Sequence, residues 1–339
     1  MRNLSMDALC EKIGNAVSKQ AISKYEKGES LPGSQILILL SQALDVKPDY
    51  FFRESQFAIS NIEFRKKAKM GVKEVEAIKE EIRDHIERYL EIEDVWGCVP
   101  SFANPVKEML VVSDDDVCEV VKRLKEAWNI GEDGILSVTD LLESKNIKVV
   151  EIKADLSFDG LSGYVNNDEN MPFVVVNKSF DVERLRFTGL HELGHLVMNL
   201  PEEMEKKDKE RLCNLFASEM LISRDIFVDV LGERRSDISL QELKVLQAVY
   251  GISVDALMFK AKTVGVISES KHTSFCIRKN KSLAFKDAVE RSSYRGVEES
   301  SRFDRLVYRA LASDMISCSK AAVLLNEPME EVKNKLELV

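Results

Sequence analysis

The sequence predicts an α+β multidomain protein, helical at both ends, with a small mixed sheet confined to its middle. Three observations lead there. The chain has 339 residues, more than the ~250 at which a single core stops growing. Apolar residues at 45% and charged residues at 31% describe an ordinary globular composition. Strand-like runs occur between residues 147 and 176, whereas most of the remaining chain carries helical periodicity.

Residues 1–55 read as a compact helical module. Ser5 can cap a helix from Met6 to Ile13 that Gly14 stops, Ser18–Lys27 is a second helix ending at Gly28, and Ser34–Leu44 is an apolar third, followed by Val46–Phe52. Residues 56–105 hold a linker and a long helix. Across the proline-free stretch 64–95, Val75, Ile78, Ile82, His85, Tyr89 and Ile92 recur at alternating spacings of three and four. That pattern is a narrow apolar seam, suited to a spacer or to pairing with another helix, a homodimer through residues 73–93 being one such pairing. His85 is expected to be packed, because no metal-binding partner lies one turn away. Trp96–Pro105, with two prolines and a glycine, then breaks the helix.

Residues 106–265 form the mixed domain. Helices are expected near Asp115–Trp128 and Val138–Lys145, then strands at Ile147–Ile152 and Pro172–Val176. Gly160, Gly163 and Asn166–Asn170 supply turn chemistry between the two runs, which predicts antiparallel pairing. Residues 266–339 form an accessory region, with short strands expected over Ser274–Arg278, His272 in an exposed loop, and helices over Arg302–Ser313 and Ser319–Leu336.

Composition excludes several classes. A net charge of −10 argues against a molecule that coats nucleic acid with its whole surface. The longest apolar run, Ile36–Leu40, is far short of the ~20 residues of a membrane span, and the first residues lack an apolar export segment, so a cytoplasmic location is expected. The six cysteines are scattered with no Cys-x-x-Cys pair, which suits buried thiols better than a disulfide framework or a thiolate metal site.

The chemistry concentrates at His191-Glu192-Leu193-Gly194-His195. On a helix, positions i and i+4 share a face, so both imidazoles can reach one ion. Glu192 projects about 100° round from His191, where a carboxylate can act as general base without displacing a ligand. A third ligand is available downstream: Glu210, Asn214, Ala217 and Leu221 share a helix face, and a helix fixes a carboxylate better than the Glu202, Glu203 and Glu205 loop does. The small residues Gly194 and Ala217 would let the two helices approach.

These residues resemble the ImmA/IrrE family of metallo-endopeptidases. The resemblance rests on Arg186-Phe-Thr188, the His191–His195 motif, Glu210-x-x-Cys-Asn-x-Phe-Ala217 and Met220-Leu221, preceded by Leu142-Glu-x-x-x-Ile147 and Phe158-Asp-Gly-Leu-Ser162. The family usually has Leu-Ala where this chain has Gly189-Leu190, and alanine where it has Cys213. The resemblance implies a gluzincin-like fold, Zn2+ at His191, His195 and Glu210, Glu192 as catalytic base, and limited cleavage of a transcriptional repressor in stress or mobile-element responses. The run Phe173, Val174, Val175 and Val176 is the expected edge strand against which an extended substrate would align. Tyr164 is a candidate for stabilising the oxyanion, with packing the simpler role.

Residues 5–52 resemble a Cro/repressor-type helix-turn-helix that begins almost at its second helix. Ser18, Lys19, Gln20, Ser23 and Lys24 are the groups expected to meet DNA, while Ala21, Ile22 and Tyr25 pack inward. Seven Lys/Arg against six Asp/Glu over residues 1–53 imply weak non-specific attraction to DNA. The leading expectation is therefore a zinc endopeptidase targeted by a helix-turn-helix module. The rival is a DNA-binding regulator whose protease-like domain senses a ligand, or serves as an antitoxin-like partner, without proteolysis.

Overall fold

In the computed structural model, residues 4–44, 46, 48, 51, 72–97, 101–165, 168 and 170–336 are described. Most of Val46–Phe52, the start of the long helix before residue 72 and part of the linker, Cys98–Pro100, lie outside them. The N-terminal helices are short because turn residues cut them. Ser5 caps α1 (Met6–Lys12), Ser18 caps α2 (Lys19–Glu26), and α3 (Ser34–Leu44) completes a small core of Leu9, Cys10, Ile13, Ile22, Leu40 and Ala43.

The larger body starts with α4 (Val72–Val95), α5 (Asp114–Trp128) and α6 (Val138–Ser144). The strands follow: β1 (Lys148–Ile152), β2 (Gly160–Tyr164) and β3 (Pro172–Asn177). Beyond them come α7 (Val182–Val197), α8 (Lys206–Leu221), α9 (Arg224–Leu231), α10 (Leu240–Tyr250), α11 (Val254–Thr263), α12 (Glu269–Lys281) and α13 (Leu283–Glu290). A strap over residues 291–301 leads to α14 (Arg302–Ala312), α15 (Cys318–Leu324) and α16 (Met329–Lys335). The architecture is α+β and mostly helical, as the sequence predicts.

The sheet departs from expectation in two ways. Its order is β1-β3-β2, with β1 parallel and β2 antiparallel to β3. The runs at 147–152 and 172–176 are therefore parallel neighbours, because the chain crosses to β2 at the far side before returning through the centre. The glycines at 160 and 163, expected in turns, lie inside β2. Phe173, Val174, Val175 and Val176 are accordingly not an edge. They occupy the central strand, with Val174 and Val176 facing the main core and Phe173 and Val175 the core under α4. A strand buried on both faces reads as a continuous apolar run, which is why it could not be told from an edge.

The long helix is likewise not a free spacer. Val75, Ile78, Ile82 and Ile86 pack on the sheet, while Tyr89 and Ile92 meet Phe303 and Val307 of α14. The seam expected to pair two copies is filled from within the chain. Polar links reinforce it: Lys148 of β1 pairs with Glu93 at 3.0 Å, and Arg302 reaches Glu93 at 2.9 Å and the Tyr89 hydroxyl at 2.8 Å. Ser274–Arg278 and His272 lie in α12 rather than in strands or a loop. Ser268 caps that helix, Lys279 ties it to Asp255, and His272 packs edge-on to Phe259.

Arg186 of α7 has 0% exposure. Its guanidinium donates to the carbonyls of Ile135 at 2.6 Å and Leu136 and Tyr250 at 3.3 Å, and to the Tyr294 hydroxyl at 2.8 Å. It is neutralised by Glu298 in the strap, whose carboxylate also accepts from the backbone N–H groups of Val138 and Thr139 at 2.9 Å. One ion pair thus fastens the strap, the start of α6 and the end of α10 to α7. Glu298→Ala would leave the guanidinium buried without its counter-charge, and is expected to lower unfolding free energy by about 3–5 kcal/mol in denaturant titration.

His85 lies among aromatic rings, 5.4 Å from Phe303 and 6.4 Å from Tyr89, and its Nε2 meets no hydrogen-bond partner among the described residues. Burial, then the Arg88 charge, pushes its pKa down from 6.5 to about 3. The unfolded chain takes up a proton that the folded one refuses. Its contribution to stability is therefore present above 6.5 and lost as pH falls from there toward 3. His85→Leu should flatten this part of the pH dependence, read as the shift in unfolding midpoint between about pH 7 and 4.

Candidate metal centre

α7 forms because Asp181 caps it and its apolar residues face the sheet, with Leu190, Leu193 and Val197 in the main core. α8 packs across its C-terminal half. At Gly194 a Cβ would lie 3.1 Å from the Phe216 ring, so bare backbone permits the close approach, opposite the fully buried Ala217.

His191 and His195 share one face of α7, rings edge-on with centroids 4.8 Å apart and Nε2 atoms 3.1 Å apart. Glu210, near the start of α8, brings Oε2 to 3.2 Å from His191 Nε2 and Oε1 to 3.9 Å from His195 Nε2. Among the described residues these three form the one group whose ligand atoms all lie within 4.8 Å of one another. The opposite ring nitrogens are held from α8 as well: His191 Nδ1 is 2.9 Å from Asn214 Oδ1, and His195 Nδ1 is 3.0 Å from Cys213 Sγ. With the Asn214 amide oxygen as acceptor, an Nδ1–H tautomer of His191 is the one that would leave Nε2 to coordinate a metal.

The donor set suits a metal. Tetrahedral zinc with bonds of ~2.0–2.1 Å has ligand-to-ligand edges of about 3.3 Å. The edges from His191 Nε2 to His195 Nε2, 3.1 Å, and to Glu210 Oε2, 3.2 Å, fall near that value, while His195 Nε2 comes within 3.9 Å of the other carboxylate oxygen, Oε1.

Glu192 is 4% exposed and accepts a hydrogen bond from Ser162 Oγ of β2 at 2.7 Å. The strand can come so near because residue 160 is glycine: a Cβ there would lie 2.6 Å from both Thr188 Cγ2 and Val175 O. His191, Glu192, Glu210 and Asn214 open together on a cleft of about 870 Å³ that Gly160, Phe187 and Thr188 also line. Tyr164 plays a packing part, its hydroxyl donating to the Leu196 carbonyl at 3.2 Å.

The sequence therefore identified the three candidate ligands and Glu192 as a set, and the folded chain brings them together. It named Asn214 on the Glu210 face without a role, although residues three and four beyond a ligand are the natural backing for its neighbours. Ser162 had no usable signal, because Gly160 and Gly163 masked β2. At the N-terminus Lys19, Gln20 and Lys24 are exposed on α2, Ser23 is half-buried, and the Ser18 hydroxyl is engaged in capping. Lys19 pairs with Asp7 at 2.6 Å.

Comparison with known proteins matches two stretches of the chain. Residues 1–51 match the family described as helix-turn-helix, and residues 142–262 match a peptidase family described as the IrrE N-terminal-like domain. The chain is also 45% identical over 53 residues to an uncharacterized HTH-type transcriptional regulator, y4aM, of Sinorhizobium fredii. That similarity covers 16% of this chain and 36% of the relative's length.

His195→Ala and Glu210→Ala are each expected to abolish stoichiometric zinc binding, measured by metal analysis after gel filtration. Asn214→Ala should weaken zinc by about 10–100-fold in chelator competition, since it removes the partner that orients His191. Full zinc retention in Glu210→Ala would remove that carboxylate from the ligand set.

Proposed function

We propose, for a chain that joins a helix-turn-helix segment to an IrrE-like peptidase-family domain, that it is a cytoplasmic zinc endopeptidase making limited cuts in a transcriptional repressor. The observation that carries this reading is the buried Glu192 carboxylate, hydrogen-bonded to Ser162, beside the His191, His195 and Glu210 cluster. A sensor or scaffold needs no base at that place.

His191, His195 and Glu210 would hold the zinc, with Asn214 and Cys213 setting the ring orientations. Bound zinc would lower the pKa of water to about 7 and polarise the scissile carbonyl. Glu192 takes the proton of the attacking water and returns it to the leaving nitrogen. Ser162 keeps the carboxylate pointed while this happens. The substrate aligns as an extended segment along the outer edge of β2, not along β3: among the described residues no further strand pairs with that edge, and its Gly160 lines the cleft. Lys19, Gln20, Ser23 and Lys24 on α2 would bring the molecule to operator DNA, or to a repressor bound there.

Glu192→Gln is expected to retain zinc and to be about 10²–10⁴-fold slower in cutting a repressor that wild type cleaves. Zinc-loaded wild type that leaves candidate repressors intact while shifting an operator fragment would replace this reading with a DNA-binding regulator that cuts nothing.

A further inference from the structure

The cleft in front of the metal cluster has a definite charge. Its lining holds seven carboxylates and three cations, so a negative excess remains even with a dication bound. The cations are largely spent: Arg184 sits on Asp159 at 2.5 Å, and Lys279 is shared between two acids. Lys279, projecting from α12, lies 2.6 Å from Asp255 Oδ2 at the start of α11 and 3.1 Å from Glu290 Oε1 at the end of α13. Its side chain is 17% exposed, whereas those of Asp255 and Glu290 are 48% and 47% exposed. One cation neutralises one of the two acids, and the remaining charge faces the cleft.

The helix that carries Lys279, α12, is held at the surface of the main core by Phe275 and by the Lys271–Asp237 pair, with none of its residues fully buried. The Lys279 ammonium between two half-exposed acids marks the place and polarity that a similar group arriving from outside would take. We infer that the substrate is a basic segment, and that Asp255 and Glu290 are the acidic pair that reads its lysine or arginine, with Lys279 as the built-in surrogate. This rests on the endopeptidase reading for the meaning of the cleft, but the recognition itself can be measured without turnover.

The test uses full-length, zinc-loaded Glu192→Gln protein and fluorescein-labelled Ala/Lys, Ala/Gln and Ala/Glu peptides of equal length, followed by anisotropy. Ala/Lys is expected to bind most tightly. Adding Asp255→Asn with Glu290→Gln should weaken it by about tenfold and leave Ala/Gln unchanged, whereas adding Lys279→Met should tighten Ala/Lys several-fold. Equal binding of the three peptides, no detectable Ala/Lys binding, a preference that survives the double substitution, or an unchanged or weaker Ala/Lys complex in Lys279→Met each overturns the inference. Wild-type turnover of the repressor is scored separately. Cleavage without a basic preference sinks this inference alone, and the preference without cleavage sinks the endopeptidase reading alone.

Discussion

A guanidinium shut away from water has to be neutralised and surrounded by acceptors, or the element carrying it cannot occupy its place. Arg186 imposes that condition on α7, and the surrounding fold is arranged to meet it. The start of α6, the end of α10 and the strap before α14 each supply an acceptor, so elements far apart in sequence converge on one turn of the helix that also bears His191. Glu298 then spends its second role on the α6 N-terminus, where first-turn N–H groups with no partner inside the helix and a carboxylate complement one another. The helix that carries the candidate ligands is therefore located by polar convergence at its first half and by apolar packing at its second.

The two halves of the centre have different supports. His191, His195 and Glu192 ride on α7, whose burial against the sheet leaves them little freedom. Glu210 arrives from α8, which also backs both imidazoles through Cys213 and Asn214. Two packed helices thus supply every candidate ligand and both ring partners, and the sheet adds only the serine that holds Glu192. Rigid elements of this kind keep ligand geometry better than loops would.

Much of this was legible in the sequence, for physical reasons. The i, i+4 spacing of His191 and His195 has one meaning on a helix, and Glu210 stood out because helical period placed it with Asn214 and Ala217. The helices fell near their expected bounds, since serine caps and glycine stops are local signals. The sheet was harder. Burial of β3 on both faces erased the alternation that reveals which side is solvent, and strand order depends on where the chain travels between strands. The long helix poses the same difficulty: a seam of Val75, Ile78 and Ile82 states that something covers it, but not whether the cover comes from the same chain. Glu298 lay beyond reach altogether, because nothing local marks a strap glutamate as the partner of an arginine more than a hundred residues earlier.

The crowding of three working side chains onto one stretch of α8 has a consequence for how this chain can diverge. Each residue added to or removed from an α-helix turns everything beyond it by about 100°. α8 is anchored by Leu212, Phe216 and Ala217, and its exposed first turn can absorb an extra residue before Glu210 without moving the three groups. An insertion between Glu210 and Leu212 would keep the thiol and the amide in phase with that core and swing the carboxylate away. Substitutions can be absorbed along this helix one at a time, but changes in length from Glu210 onward cannot. Its reading frame of turns is as confined as the metal cluster it serves, and variation in length should collect in the loops on either side.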